Sequence, residues 1–409
     1  MRSTNRSKPW HVLAVLAAIG SLLAAGCGSD DDDDGGEQSA GDEPVLKLGV
    51  VTSLSEPGVF ELGREQADAV EACVDWNNAN DTGVTIDLVG VEDDKGDPAL
   101  ARTAVNRLID EGAQAFVGDV ASALSEAVLP LIDQNEAFFV VGTSWADELT
   151  GPDHPTVFRV GVANSALATQ GVLPYFADLT ENDGVSSFGV LAEDSSFGRG
   201  LLEALEAGVA EELPEATVHS ELYPANSTDV TAQLLALKEA SPTPEVVVIL
   251  AANAARNLAI PQAHEVGLAP DAELLASWDW PTYPDYWEVA GEDGVDVPFV
   301  GFETPDQQPT EEADVMAKEL GAESSIWAKW AWDACRTLAE AAAGAGSTEP
   351  DELQAAMEEL SFEGATGQID FETEDEDRYH DRSGIPMYVL SFAKEGAKPE
   401  DAELVYSAE

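Results

Sequence analysis

Basic residues are scarce: 19 Lys and Arg stand against 79 Asp and Glu in 409 residues, a formal net charge of −60. A polyanion of this size repels phosphate backbones, which excludes nucleic acid as a partner, and it disfavours direct adhesion to anionic lipid. There are only three cysteines, too few for a disulfide scaffold, and none stands at zinc-ligand spacing from a histidine. No metal or cofactor is expected. The histidines (His11, His154, His219, His264 and His380) form no Ser/His/Asp arrangement. GxSxG and HExxH are absent, and the loop EDSSFGRG (193–200) lacks the Gly-Lys-Ser/Thr of a phosphate-binding loop. An enzyme is therefore not expected. No apolar run reaches the roughly 20 residues of a membrane-spanning helix. What is present is apolar material for a sizeable core, 44% of residues, in a chain long enough for two or three domains of roughly 100–200 residues each.

Residues 1–26 read as an export signal: Arg2, Arg6 and Lys8 precede an apolar stretch from Val12 to Ala25. It ends Leu23-Ala24-Ala25-Gly26-Cys27, small residues before a cysteine that resemble a lipobox, with Ala24 where Leu is usual. Cys27 would then carry lipid and be the sole contact with the membrane; the alternative is plain secretion with Cys27 as a spare thiol. Residues 27–44 follow as an acidic tether, with an unbroken run from Asp30 to Asp34. Self-repulsion and the lack of apolar residues predict that it stays extended and disordered. The acid excess resembles that of proteins working in concentrated salt, where the Debye length falls to about 3 Å at 1 M and self-repulsion is tolerable.

From Val45 onward strand-like and helix-like patterns alternate. Strands are predicted at 46–51, 84–91, 115–118 and 138–141, with helices at 63–78, 98–111 and 122–133 between them. A second series has strands at 187–192, 217–222, 246–250 and 273–276, with helices at 198–212, 230–239 and 254–266. Such alternation implies parallel sheets covered on both faces by right-handed crossovers. Helix 326–343 and segment 350–360 are extra, and best used by returning to the first unit; 372–377 reads as an exposed acidic loop and 387–392 as a last strand.

Six segments, KLGVVTSLSEPG (47–58), VEDDKGDPALA (91–101), EDSSFGRG (193–200), ELYPANSTDVTAQLLALK (221–238), WAWDACRTLAEAAAGAGS (330–347) and FEGATGQIDFE (362–372), occur in order over nearly all of 45–409. Together they resemble the type I solute-binding proteins of ABC importers, in the branch that binds branched-chain amino acids. The resemblance implies an α/β fold of two Rossmann-like lobes joined by three hinge crossings. Lobe 1 would be 45–160 plus 303–361 and lobe 2 would be 161–300 plus 362–409, with hinges at 158–161, 298–303 and 362–367. It further implies a monomer outside the cytoplasm that takes a small molecule in the interlobe cleft and delivers it to permease subunits. A ligand-sensing protein feeding a separate receptor shares the fold. It also places Cys73 and Cys335 on two helices of lobe 1, as a disulfide or as two buried thiols.

Open α/β sheets bind ligands beyond the carboxyl ends of their strands, where helix N-termini offer free N–H groups. Two such turns are Gly118 to Ser122 and Gly142 to Trp145. By resemblance Ser122, Thr143 and Ser144 would hold a ligand carboxylate, with Trp145 where the family often has Thr. Each hydroxyl could instead be only a cap or turn residue. Opposite them, Phe197 would pack over the ligand, Asn253 and Trp278 would face the cleft, and Asp279 would pair with an ammonium. Aromatic density, with Phe60, Trp145, Phe197, Trp278 and Trp280 as candidate walls, suits aromatic or large apolar groups, and with a carboxylate also a quaternary ammonium. Branched-chain and aromatic amino acids, amides, urea and betaine-like solutes all remain compatible.

Overall fold

A computed structural model describes residues 43–55, 60–252, 255–276, 278–283, 285–321 and 325–408. Residues 1–42, where the export signal, Cys27 and most of the tether are expected, and Asn253 lie outside the described residues.

The first half contains β1 (Val45–Thr52), α1 (Phe60–Ala79), β2 (Thr85–Asp93), α2 (Pro98–Asp110), β3 (Ala115–Val117), α3 (Ser122–Gln134), β4 (Phe138–Val141) and β5 (Val157–Arg159). The strands form one parallel sheet in the order β2-β1-β3-β4-β5. β3 and β4 are buried along their whole length, as expected of central strands covered on both faces. α2 starts where Asp97 accepts from Ala99 N and Leu100 N with Pro98 in the first turn, a capped start that a proline does not disturb.

The second half begins with α4 (Asn164–Ala166), a π turn (Leu167–Val172) and α5 (Leu173–Asp183). β6 (Ser187–Asp194), α6 (Ser196–Glu212), β7 (Thr217–Pro224), α7 (Thr231–Glu239), β8 (Val246–Leu250), α8 (Ala255–Glu265), β9 (Glu273–Ala276), α9 (Asp285–Ala290) and β10 (Phe299–Gly301) follow. The chain then forms α10 (Glu311–Leu320), α11 (Ile326–Ala345) and α12 (Pro350–Glu358), a two-stranded antiparallel ribbon β11 (Ser361–Gly364) and β12 (Gly367–Asp370), and finally β13 (Tyr388–Ser391) and β14 (Glu403–Ser407). The second sheet runs β14-β13-β10-β9-β8-β6-β7, with only β13 and β14 antiparallel to their neighbours.

α11 leaves the second series and packs against α1, β3 and β4. Its Cys335 is bonded to Cys73 of α1, with Cα atoms 6.5 Å apart and both residues fully buried. The carboxylate of Asp333, also on α11, accepts from Ala365 N at 2.6 Å and Thr366 N at 3.0 Å, which fixes the turn of the ribbon. Residues 380–382 lie along β5: Arg159 N donates to His380 O and Arg382 N to Arg159 O.

Several elements escape the sequence pattern. β5 and β10 are three residues long, too short to show a period. β14 is a largely exposed edge strand. The helical run 164–183 is interrupted by the π turn, which breaks the 3.6-residue period.

Candidate functional site

A cavity of about 300 Å³ lies between the carboxyl ends of the two parallel sheets, where open α/β sheets place ligands. From the first half it is lined by Ser53 after β1, Lys95 and Gly96 after β2, the 120–124 turn after β3, Thr143 and Trp145 after β4, and Trp327 of α11. The second half contributes Glu193, Ser195, Ser196 and Phe197 at the β6–α6 junction, Asn226 after β7, Ala252 after β8 and Trp278 after β9.

The first wall is built around the N-terminus of α3. The residue preceding that helix is Ala121, which supplies no side-chain cap, so the first N–H groups of α3 are left to other acceptors. Ser122 Oγ accepts from Trp145 N and from Ala146 N, both at 3.1 Å. A hydroxyl has two lone pairs and one hydrogen. With both acceptor positions filled, Ser122 can only donate. Thr143 Oγ1 donates to Asp119 O at 3.0 Å, so its hydrogen is spent. Below them, burial and then the neighbouring Asp94 push the Asp119 carboxyl well above its usual range. Asp94 Oδ1 accepts from Ser53 Oγ and Gly96 N, both at 2.7 Å, and so orients two lining residues.

The second wall starts at Glu193, which is 3% exposed. Its Oε1 accepts from Ser195 Oγ at 2.7 Å and its Oε2 from Ala252 N at 2.9 Å. Ser195 Oγ in turn caps α6 by accepting from Gly198 N at 3.1 Å. Gly198 has to be a glycine: a Cβ there would sit 2.1 Å from Glu193 O. The two walls meet at Asn164, whose N–H donates to Trp145 O at 2.7 Å and whose Nδ2 donates to Phe197 O at 3.0 Å.

Aromatic rings close the apolar side. Trp145 stacks on Trp327 with centroids 5.3 Å apart and meets Trp278 edge-on at 5.0 Å, while Phe197 meets Trp278 at 4.9 Å. Trp145 and Trp327 are almost wholly buried, and their indole N–H groups have no hydrogen-bond partner among the described residues.

Ser122, Thr143, Trp145, Phe197 and Trp278 thus share one cavity, whereas three expected residues do not reach it. Ser144 is turned behind the wall, where its hydroxyl bonds Asp119 O at 2.6 Å and Ser125 Oγ at 2.7 Å. Phe60 is half-buried under the Arg64 guanidinium, 5.0 Å from the ring centroid. Asp279 is buried against β10, its Oδ1 3.1 Å from the position of a Cβ on Gly301, and it accepts from Phe302 N. Burial, and then the charge of Glu303, push its carboxyl up to about 8. Glu193, Lys95 and Trp327 were not singled out from the sequence. Glu193 and Lys95 lie inside segments that carry the family resemblance, but nothing in their spacing tells which way they face. Trp327 is remote in sequence and sits among the buried tryptophans of α11.

The buried Asp279 has a consequence for stability. Its folded pKa of about 8 lies above its ordinary 3.8, so between these values the folded state binds more protons than the unfolded one. That contribution is complete below about pH 4 and is lost as pH rises through 8. Asp279→Asn is expected to be neutral or stabilising at pH 8 relative to wild type, by an amount on the order of a few kcal/mol at most, and less favourable at pH 4. Thermal unfolding of both proteins across this range measures it; parallel pH curves would sink the assignment.

Two α/β halves with a ligand-sized cavity at their facing strand ends define a bilobal solute-binding protein. A family model of periplasmic binding proteins matches residues 45–397, and the chain belongs to that family. It is 22% identical over 311 residues to the Leu/Ile/Val-binding protein homolog 3 of Brucella melitensis, covering 74% of this chain and 80% of the relative. Its fold is that of the leucine-binding protein LivK of Thermotoga maritima, with TM-score 0.74, 21% identity and coverage of 88% and 98%. It is likewise that of a solute-binding protein from R. palustris solved with benzoate, with TM-score 0.71, 19% identity and coverage of 89% and 96%. These relatives bind solutes rather than catalyse reactions, and membership implies a place outside the cytoplasm. Among the described residues no helix is long and apolar enough to cross a membrane.

Proposed function

We propose that the chain is the substrate-binding lipoprotein of an ABC importer, held at the outer face of the cell membrane by lipid on Cys27. On this reading it captures a small zwitterion, an amino acid with a branched-chain or aromatic side chain, between its two halves and passes it to the permease as a monomer. The carrying observation is the donor-only hydroxyl of Ser122 at the uncapped start of α3, next to a wall of tryptophans. A carboxylate suits the first and an apolar side chain the second. The acid excess suits work in concentrated salt. A second reading, a carboxylate that carries no ammonium, is favoured by one observation: Asp279 turns away from the cavity.

A thermal-shift screen of amino acids and aromatic acids against residues 43–409, in molar salt, tests this. A ligand at a hundred times its dissociation constant adds about 2.7 kcal/mol to stability. For the best hit, Ser122→Ala is expected to weaken binding about 10- to 100-fold, since a hydrogen bond to a charged group contributes roughly 1.5–3 kcal/mol. Calorimetry showing unchanged affinity would remove the carboxylate from this turn.

A further inference from the structure

Asp94 and Asp119 stand behind the first wall, 0% and 1% exposed, and their carboxyl groups are hydrogen-bonded to each other. One oxygen of each is taken up by other donors: Asp94 Oδ1 by Ser53 Oγ and Gly96 N, and Asp119 Oδ1 by Val120 N at 2.6 Å. Each Oδ2 is buried and has no other partner among the described residues. Two ionised carboxylates are acceptors only and cannot bond each other. Like charges in so dry a contact do not both persist, so one proton stays between them. Asp94 is the one charge that acts on Asp119 among the described residues. Asp93 and Lys95 share the turn of Asp94, and the Asp93 carboxylate accepts from Leu54 N and Lys95 N. Arg64 and Glu65 of α1 are turned to Leu54 O and Ser325, Arg107 of α2 to Glu92, and Glu126 of α3 to Ser196. Glu193 stands on the far wall. The pair is also where the turns of the first wall meet. Asp94 holds Ser53 after β1 and Gly96 after β2, while Asp119 follows β3 and its carbonyl accepts from Thr143 and Ser144 after β4.

We propose that Asp94 and Asp119 share a single proton that ties these four turns into one binding wall, and that a solute carboxylate is captured only while that proton is held. This rests on the reading of the wall as a carboxylate site. Losing the proton places a second negative charge behind the wall. Repulsion then parts the two turns, and the added charge opposes an anion in the cavity. Both effects act in one direction. A bound anion strengthens the pair's hold on its proton, so affinity is full at low pH and falls as pH rises, by at most about tenfold per pH unit for one proton.

The test is calorimetry in molar salt with three probes, L-leucine, L-phenylalanine and 3-phenylpropanoate. For wild type, affinity for at least one probe is expected to fall about tenfold or more between about pH 5 and about pH 10. Asp119→Asn is expected to bind within a few-fold of wild type at the acid end and to lose that fall, because its amide donates to Asp94 where the proton did and cannot be titrated away. Titration of a probe amine or of Asp279 is common to both proteins, so the difference between the two profiles is what is read. Adding Asp94→Asn sets two amide N–H groups against each other and is expected to weaken binding by more than the two single substitutions together. An Asp119→Asn variant with the wild-type profile, or one as weak at the acid end as the double variant, would overturn the proposal while leaving the carboxylate site standing. A wild type whose affinity does not change with pH would do the same. A wild type that binds none of the three probes would overturn it together with the carboxylate reading beneath it.

Discussion

Arg159→Met is expected to destabilise the protein by about 3–5 kcal/mol, the range for breaking a buried ion pair by removing one partner. Arg159 is fully buried at the end of β5. Its Nε lies 3.0 Å from Asp381 Oδ1. One terminal nitrogen donates to Trp145 O and the other to Ala146 O, both at 2.8 Å, and the second also reaches Thr150 Oγ1 at 3.0 Å. Thr150 completes the cluster by donating to Asp381 at 2.8 Å. Methionine can fill much of the volume but replaces none of these donors, so a carboxylate and two carbonyls stay buried with fewer partners. The carbonyls belong to the turn whose N–H groups hold Ser122, so ligand affinity should fall as well. Urea unfolding gives the stability loss; a change below about 1 kcal/mol would show that water replaces the guanidinium without cost. Asp381→Asn keeps an acceptor for Arg159 and should cost less.

The other large effect is expected from the disulfide. Cys73 and Cys335 are 262 positions apart in the chain. Closing so long a loop removes many conformations from the unfolded state, and losing a native disulfide typically costs about 2–5 kcal/mol. The paired substitution Cys73→Ala with Cys335→Ala should therefore lower the urea midpoint. It should also remove any effect of a reducing agent, which wild type should show. The bond fixes α11 to α1, and α11 brings Trp327 to the cavity, so the variant should bind ligand more weakly too. If reductant shifts variant and wild type alike, the thiols are not paired in the protein.

Strand–helix alternation was legible because both sheets are mostly parallel and buried on two faces. Phe138–Val141 and Val246–Leu250 are unbroken apolar runs, and they are strands with those bounds. Ser122 and Thr143 could be found because glycine-containing turns at strand ends mark the edge of a sheet. Facing was harder to read. Thr143 and Ser144 are adjacent in one turn, and the hydroxyls diverge because Ser125 draws Ser144 behind the wall. Asp279 is next to Trp278, which lines the cavity, yet Phe302 N draws its carboxylate back to β10. That partner is 23 residues on in the chain and leaves no trace in local spacing. Glu193 shows the converse, since its orientation depends on Ala252, just past β8 and two strands later in the chain.

Asn164 joins the turn after β4 to the start of α6 with two hydrogen bonds, one from its backbone and one from its side chain. Its neighbour Ser165 adds more, from N–H and hydroxyl to the Asp147 carboxylate. Any motion that parts Trp145 from Phe197 must break at least one bond at this residue, with a barrier that occupancy of the cavity does not itself create. Dwell time then depends on Asn164 as well as on the atoms that touch the solute. A solute could be held loosely in the equilibrium sense and still be released slowly.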